Sequence, residues 1–373
     1  MQGRTVHPRR FDTMAVMRVR RFGLTITALV AAVAVLGGCA VNEQGQGVSD
    51  LSGTLDGAGS SAQGAAQDAW IAGFQRANAS VTINYDPAGS GAGREQFIVG
   101  AVGYAGSDTA LSVEETEGEL GRCTEDSGAI NLPVYLSPIV LAFSIEGVDR
   151  LQLDAASVAG IFSGAIERWN DPALVNLNPD VTLPDARITP VHRSDDSGTT
   201  ENFTEYLAEA APEQWPFEPD DAFPAEGEAA QGNSGVAAVM RDGVNVIGYL
   251  DGSRSEGLDV ASLVVGDGVV EPNAASAAAV VDVSPMQEGR ADDDLVVDID
   301  RATQEPGVYP LVLVSYVIAC REYVDEREGE LVRNYLQWVA SAEGQDAAAE
   351  DAGSAPISDA LRERVEAAVD AIR

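Results

Sequence analysis

The stretch "VHRSDDSGTTENF", Val191 to Phe203, begins like a strand and ends like a helix. Upstream, "ITPVH" (Ile188–His192) is a short apolar run of strand type. Downstream, "TTENFTEYLAEA" places Phe203, Tyr206, Leu207 and Ala210 at helical spacing. Between them lies a turn of serine, glycine and threonine. A helix N-terminus exposes unpaired N–H groups and a partial positive charge. Hydroxyl side chains there add donors, and glycine lets the backbone come close to a bound group. Such a turn can hold a tetrahedral oxyanion without a basic surface.

Two more segments follow this plan: "DPAGSGAGREQF" (Asp86–Phe97) and "DGAGSSAQGAAQDAW" (Asp56–Trp70). Taken singly, each also looks like an ordinary N-cap. Arg193 adds the planar fork that suits phosphate-like oxygens, although a salt bridge with Asp195 or Asp196 is the plainer reading of it. "VTINY" (Val81–Tyr85), "PIVLAFSI" (Pro138–Ile145), "VNVIGYL" (Val244–Leu250) and "YPLVLVSYVIA" (Tyr309–Ala319) read as further strands, the second buried on both faces. "ISDALRERVEAAVDAI" reads as a helix capped by Ser358. Strands alternating with helices predict an α/β fold with largely parallel sheets. Glu209–Gly235 and the Ala-rich, acidic Val270–Asp300 read as surface excursions.

The N-terminal region has another character. Arg18, Arg20 and Arg21 precede an apolar run, Phe22 to Leu36, that meets "LGGC" at Leu36–Cys39. This reads as a secretory signal over residues 1–38, with Cys39 as the lipid-anchored residue of a bacterial lipoprotein. Polar, Gly-rich residues 39–50 read as a flexible tether. Removal of residues 1–38 takes away six arginines and one aspartate. It leaves 17 arginines, no lysine, 58 acidic residues and a net charge of −41. That charge argues against nucleic acid or an anionic membrane surface as partner, leaving the lipid as the only membrane contact. Beyond Cys39 only Cys123 and Cys320 remain. Outside the cytoplasm they are read as a disulfide rather than two free thiols, and their spacing does not suit a metal site.

The turn "RSDDSGTTENFTEYL" resembles the signature of the periplasmic phosphate-binding proteins of ABC transporters, the PstS family. "AGSGAGREQFIVGAVGYAGSD" (Ala88–Asp108) resembles the second binding segment of that family. "LPVYLSPIVLAFSIEGV", "IFSGAIERWNDPALVNLNP", "GNSGVAAVMRDGVNVIGYL" and "YPLVLVSYVIA" follow in the family's order. The resemblance implies a type II periplasmic-binding-protein fold: two α/β lobes, two crossover strands and a ligand cleft between the lobes. The first lobe would comprise residues 51–141 and 311–373, and the second residues 142–310. It also implies a lipid-anchored monomer on the extracytoplasmic face of the bacterial cell membrane, delivering phosphate to the permease subunits of an ABC importer. No cofactor or metal is called for. The implied phosphate ligands are Ser90, Asp108, Arg193, Ser197, Gly198 and Thr199, with Asp195 supporting Arg193. The first segment departs from the family pattern, having "SSAQ" where a Phe-Pro pair is common. Ser61 and Ala62 take the hydroxyl and N–H positions there.

An acid in an anion site has a physical use. A carboxylate repels a dianion, by roughly 4 kcal/mol per charge pair at 4 Å and an effective dielectric near 20. Phosphate near neutral pH carries a proton to donate to it, and sulfate and molybdate do not. Asp108 is therefore expected to select phosphate over either, its alternative role being to cap a helix before "TALSVEE". A serine- or carboxylate-based phosphohydrolase is the rival from another class. Ser197 lies near His192 and Asp195, but "SDDSG" is no nucleophile elbow. His192 and Arg193, as neighbours on a strand, point to opposite faces.

Overall fold

A computed structural model describes residues 51–373 of the protein. The expected signal segment 1–38, with Cys39 and the 39–50 tether, lies outside the described residues. The sixteen-residue strand Ala129–Ser144 organises the rest, and every residue of it but Ser144 is buried. Its near-continuous apolar sequence suits a strand covered on both faces. Through Ala129–Pro138 it pairs antiparallel with Val312–Cys320. Through Ile139–Ser144 it pairs antiparallel with Val246–Asp251. One strand thus joins two half-sheets.

On one side, Val312–Cys320 pairs antiparallel with Tyr104–Ser107. Parallel strands Gly53–Gly59 and Val81–Asp86 follow outward. On the other side, Val246–Asp251 pairs in parallel with Thr189–Arg193, which pairs in parallel with Glu228–Ala230. The expectation of largely parallel sheets is corrected accordingly. Parallel ladders form the flanks, and the two long strands make an antiparallel centre.

The strand and helix positions follow the sequence pattern to within a few residues. Val81 and Ile83 face the core as alternation predicts. Helix Gly198–Ala210 buries Phe203, Tyr206 and Leu207. The long apolar strand begins nine residues before Pro138, because the polar Asn131 and the prolines interrupt its pattern. Pro133 lies where the pairing with Ser315 and Tyr316 slips register, and a bulge is a place where the missing N–H is tolerated. Ser358 sits at the start of helix Asp359–Asp370 but makes no side-chain cap.

The two excursions are structural. Glu209–Gly235 contains the sheet-edge strand Glu228–Ala230 and the first turn of helix Gly232–Asp242. Val270–Asp300 contains helix Ala274–Val283, and its Leu295, Val296 and Val297 are buried. Its Asp294 accepts hydrogen bonds from the backbone N and side-chain amide of Asn131 on the long strand. Cys123 and Cys320 form the expected disulfide, with Cα atoms 5.2 Å apart, closing a sequence separation of 197. Among the described residues no helix is long and apolar enough to cross a membrane.

Candidate functional site

Strand ends determine where the site lies. Gly53–Gly59, Val81–Asp86, Tyr104–Ser107, Thr189–Arg193 and Glu228–Ala230 each deliver a turn at the carboxyl end of a parallel ladder, where α/β folds place ligands. Four of those turns open helices: Gly64–Ala77, Ser90–Ile98, Gly198–Ala210 and Gly232–Asp242. Two come from each half-sheet.

Glycine permits the close approach of these turns. Gly59 has φ +139°, and a Cβ there would stand 1.9 Å from the Gly106 carbonyl oxygen. At Gly198 a Cβ would meet Ser90 Oγ at 2.7 Å and Asp108 Cβ at 2.8 Å, so this helix start lies directly against the opposite half. The backbone N–H of Gly91 also crosses, donating to the Asp196 carbonyl at 3.2 Å.

The residues anticipated from sequence converge. Ser90, Asp108, Arg193, Ser197, Gly198, Thr199 and Ala62 are buried, and Ser61 and Asp195 are partly buried. Arg193 Nε donates to Asp195 Oδ1 at 2.8 Å, and Nη2 donates to Oδ2. Nη1 reaches Thr199 Oγ1 at 3.4 Å. The plainer reading of Arg193, a salt bridge, is therefore true, but the pair is inside the molecule and Asp195 holds the fork in place. Gly232 N donates to Asp195 Oδ1 at 3.0 Å. Burial alone would raise the Asp195 carboxyl; the Arg193 hydrogen bond and charge outweigh it and hold the group below the usual range.

Asp108 caps no helix. Ser112 caps the short helix that follows it. The Asp108 carboxylate instead accepts from Ser60 Oγ (2.5 Å), Ser315 Oγ (2.6 Å) and Thr199 Oγ1 (3.0 Å). Its own N–H donates to Ser90 Oγ at 3.1 Å. Burial raises the Asp108 carboxyl, against those hydroxyls and the Arg193 charge, which lower it. Ser197 caps its helix through Thr200 N. Behind the turn, Phe203 stacks on Tyr249 at 4.2 Å, and the Tyr249 hydroxyl accepts from Arg193 N. His192 stacks on Phe223 at 4.5 Å, apart from the Arg193 side, as strand alternation requires.

Four residues of the site were not foreseen. Ser60 precedes the anticipated Ser61, and its oxygen accepts from Ala62 N (3.1 Å) and Gln63 N (3.3 Å). The Ala62 N–H is thus turned toward Ser60. Gln63 and Ser315 stand behind Asp108, where Gln63 Nε2 donates to Ser315 Oγ at 2.7 Å. Fully buried Asn233 donates from its side chain to Ser61 Oγ (3.0 Å) and Thr199 Oγ1 (3.4 Å), and its Oδ1 accepts from Asp251 N (2.8 Å). The polar residue inside the apolar run "YPLVLVSYVIA" was the available signal for Ser315. For Asn233 the signal was the Gly-Asn pair ahead of an amphipathic run.

The arrangement can hold a small tetrahedral oxyanion that brings a proton for Asp108. Among the described residues no cluster of three or more His, Cys, Asp or Glu could hold a metal.

Residues 44–343 match the family model described as a PBP superfamily domain. The chain is 36% identical to phosphate-binding protein PstS 3 of Mycobacterium tuberculosis (strain H37Rv), over 95% of this chain and all of that protein. It is 29% identical to phosphate-binding protein PstS of Xylella fastidiosa, over 86% of this chain and 91% of that protein. Among solved structures, the high-affinity periplasmic phosphate-binding protein PfluDING, bound with phosphate, superposes with a TM-score of 0.67. It is 23% identical, covering 84% of this chain and 93% of that one. That likeness is one of fold.

Proposed function

The chain belongs to the PstS family of phosphate-binding proteins within the PBP superfamily, and on that premise we propose that it captures inorganic phosphate and delivers it to the permease of an ABC importer. One observation carries the reading: a buried arginine, hydroxyls at helix starts and a carboxylate acceptor meet at the junction of the two half-sheets. The arginine and the dipoles balance a dianion, and the carboxylate requires a proton from it. The proposed ligand set is Ser61, Ser90, Asp108, Arg193, Ser197, Gly198 and Thr199, with Asp195 supporting Arg193; Ala62, expected from sequence to offer its N–H, gives it to Ser60 Oγ instead. The role is binding and release rather than catalysis.

The lobes are residues 51–141 with 311–373, and residues 142–310. The change of partner along Ala129–Ser144 at Pro138–Ile139 supports this division. A ligand touching both lobes favours their closed arrangement, which the permease would read. The protein works as a monomer at the extracytoplasmic face of the cell membrane, held by lipid on Cys39. Small-angle scattering of the ligand-stripped protein tests the proposal. Phosphate, but not chloride, is expected to contract the particle; an unchanged radius with no measurable phosphate affinity would reject it.

A further inference from the structure

Behind Asp108 runs a buried line of hydrogen bonds with one direction. The hydroxyls of Tyr335 and Tyr104 donate to Gln67 Oε1, at 2.8 and 3.1 Å. Gln67 Nε2 donates to Gln63 Oε1 at 2.9 Å. Gln63 Nε2 divides its two protons between Ser315 Oγ (2.7 Å) and the Tyr316 carbonyl (2.8 Å). That carbonyl fixes the amide, since the flipped amide would set carbonyl against carbonyl. Ser315 Oγ, accepting from Gln63, must point its own proton onward, to Asp108 Oδ1 at 2.6 Å. Ser60 is constrained likewise: its oxygen accepts from two backbone N–H groups and its proton goes to the same Oδ1. Gln63, Gln67, Tyr104, Tyr335 and Ser315 are all fully buried.

A carboxylate oxygen has about two in-plane acceptor sites. Oδ1 has both filled by serine hydroxyls, whereas Oδ2 accepts only from Thr199. We propose that Gln63 and Ser315 are positioning residues for anion selectivity: they aim a hydroxyl proton at Asp108 Oδ1, leaving the Oδ2 edge alone to take the ligand's proton. The proposal rests on the phosphate reading above and says how the Asp108 filter is kept in its accepting form. Among the described residues, the groups that interact electrostatically with Asp108 are Arg193, on the strand Thr189–Arg193, and Tyr85, on the strand Val81–Asp86. Glu205, Glu209, Arg290, Asp298, Arg301 and Tyr316 line the same cavity as Asp108. The helices Ser90–Ile98 and Gly198–Ala210 contact Asp108 itself through Ser90, Thr199 and Asn202, none of which titrates.

A consequence follows for pH. A neutral Asp108 carries its proton at Oδ2, donates toward the ligand and admits sulfate. Burial favours that neutral form, and the two serine donors oppose it. Removing one donor raises the pH at which sulfate is admitted, by about one to two units, the size of one hydrogen bond to a charged group.

The test measures phosphate and sulfate affinity of the purified full chain from about pH 4.5 to 8. Ser315→Ala and Gln63→Met are compared with the unmodified protein, and Ser315→Thr restores the hydroxyl. Sulfate binding by Ser315→Ala is expected to set in about one to two pH units higher, and its phosphate-to-sulfate ratio near pH 6 to fall about tenfold or more. Gln63→Met, which leaves the Ser315 hydroxyl but no longer aims it, shifts the profile the same way by a smaller interval, while Ser315→Thr keeps the original profile. Superimposable profiles in either folded variant would overturn the proposal. Absence of phosphate binding by the unmodified chain would overturn the underlying reading, and this inference with it.

Discussion

Asn233 reaches Ser61 with both its backbone N–H (3.2 Å) and its side-chain amide (3.0 Å), tying a helix start of one half-sheet to a turn of the other. The same amide contacts Thr199, which bonds both Asp108 and Arg193. In the proposed reading, closure and ligand contacts share this one set of hydrogen bonds.

Asn233→Ala is expected to weaken phosphate binding by about 1–2 kcal/mol, roughly five- to thirtyfold, from the lost side-chain hydrogen bonds. On the proposed lobe closure these bonds form as the cleft closes, so the change should fall mainly on release. Stopped-flow release of phosphate into a scavenger measures it. An altered association rate with unchanged release would contradict the latch.

Arg193→Ala removes the guanidinium and strands Asp195, leaving its carboxylate the backbone N–H of Gly232 and its own. Loss of two charge-assisted hydrogen bonds predicts a deficit of at least about 3 kcal/mol, a hundredfold or more in affinity. Because the Asp195 carboxyl is held below its ordinary value, the stability from this pair is present above about pH 4 and is lost as pH falls through the depressed value. Acid melting curves of the variant should be flatter there than those of the parent.

Asp251 titrates in the opposite sense. Buried at the end of the strand Val246–Asp251, it accepts from Tyr135 on the long strand and from Ser253 N, and burial pushes its carboxyl up to about 6. A raised carboxyl binds its proton more tightly in the folded state. Stability therefore falls as pH rises from about 4 to about 6, by an amount on the order of 3 kcal/mol. Asp251→Asn keeps the acceptor oxygen and should remove that slope, as read from melting temperature against pH.

The Cys123–Cys320 bridge ties the end of the long strand Val312–Cys320 to a turn far off in sequence. Its reduction should cost about 2–5 kcal/mol of stability, largely through the freed chain of the unfolded state. Phosphate affinity should change little, because neither Cys123 nor Cys320 belongs to the proposed ligand set. Thermal melts and titration with and without reductant check both statements.

The turns with glycine and hydroxyls were legible because two periodicities, strand then helix, change at each of them. Arg193, Asp108 and the Ser197–Thr199 turn follow from that change together with the family resemblance. Gln63 and Ser315 were hidden for a physical reason: their meaning depends on register between strands distant in sequence, and on a bulge that sets Ser315 opposite Tyr135. Likewise, Asp294 and Asn233 sit in stretches whose composition looks solvated, and each is buried through a partner far along the chain. The antiparallel centre of the sheet escaped local reading for the same cause, since strand direction is decided by long connections.

The most direct test of the central claim is calorimetric titration of the ligand-stripped protein with phosphate and, separately, with sulfate, alongside Asp108→Asn. The account predicts tight phosphate binding at neutral pH, sulfate rejected by about 10⁴-fold or more, and a much smaller ratio in the variant, whose amide can donate. Equal binding of the two anions by the unmodified protein, or an Asp108→Asn ratio unchanged from it, would contradict a carboxylate filter at this site.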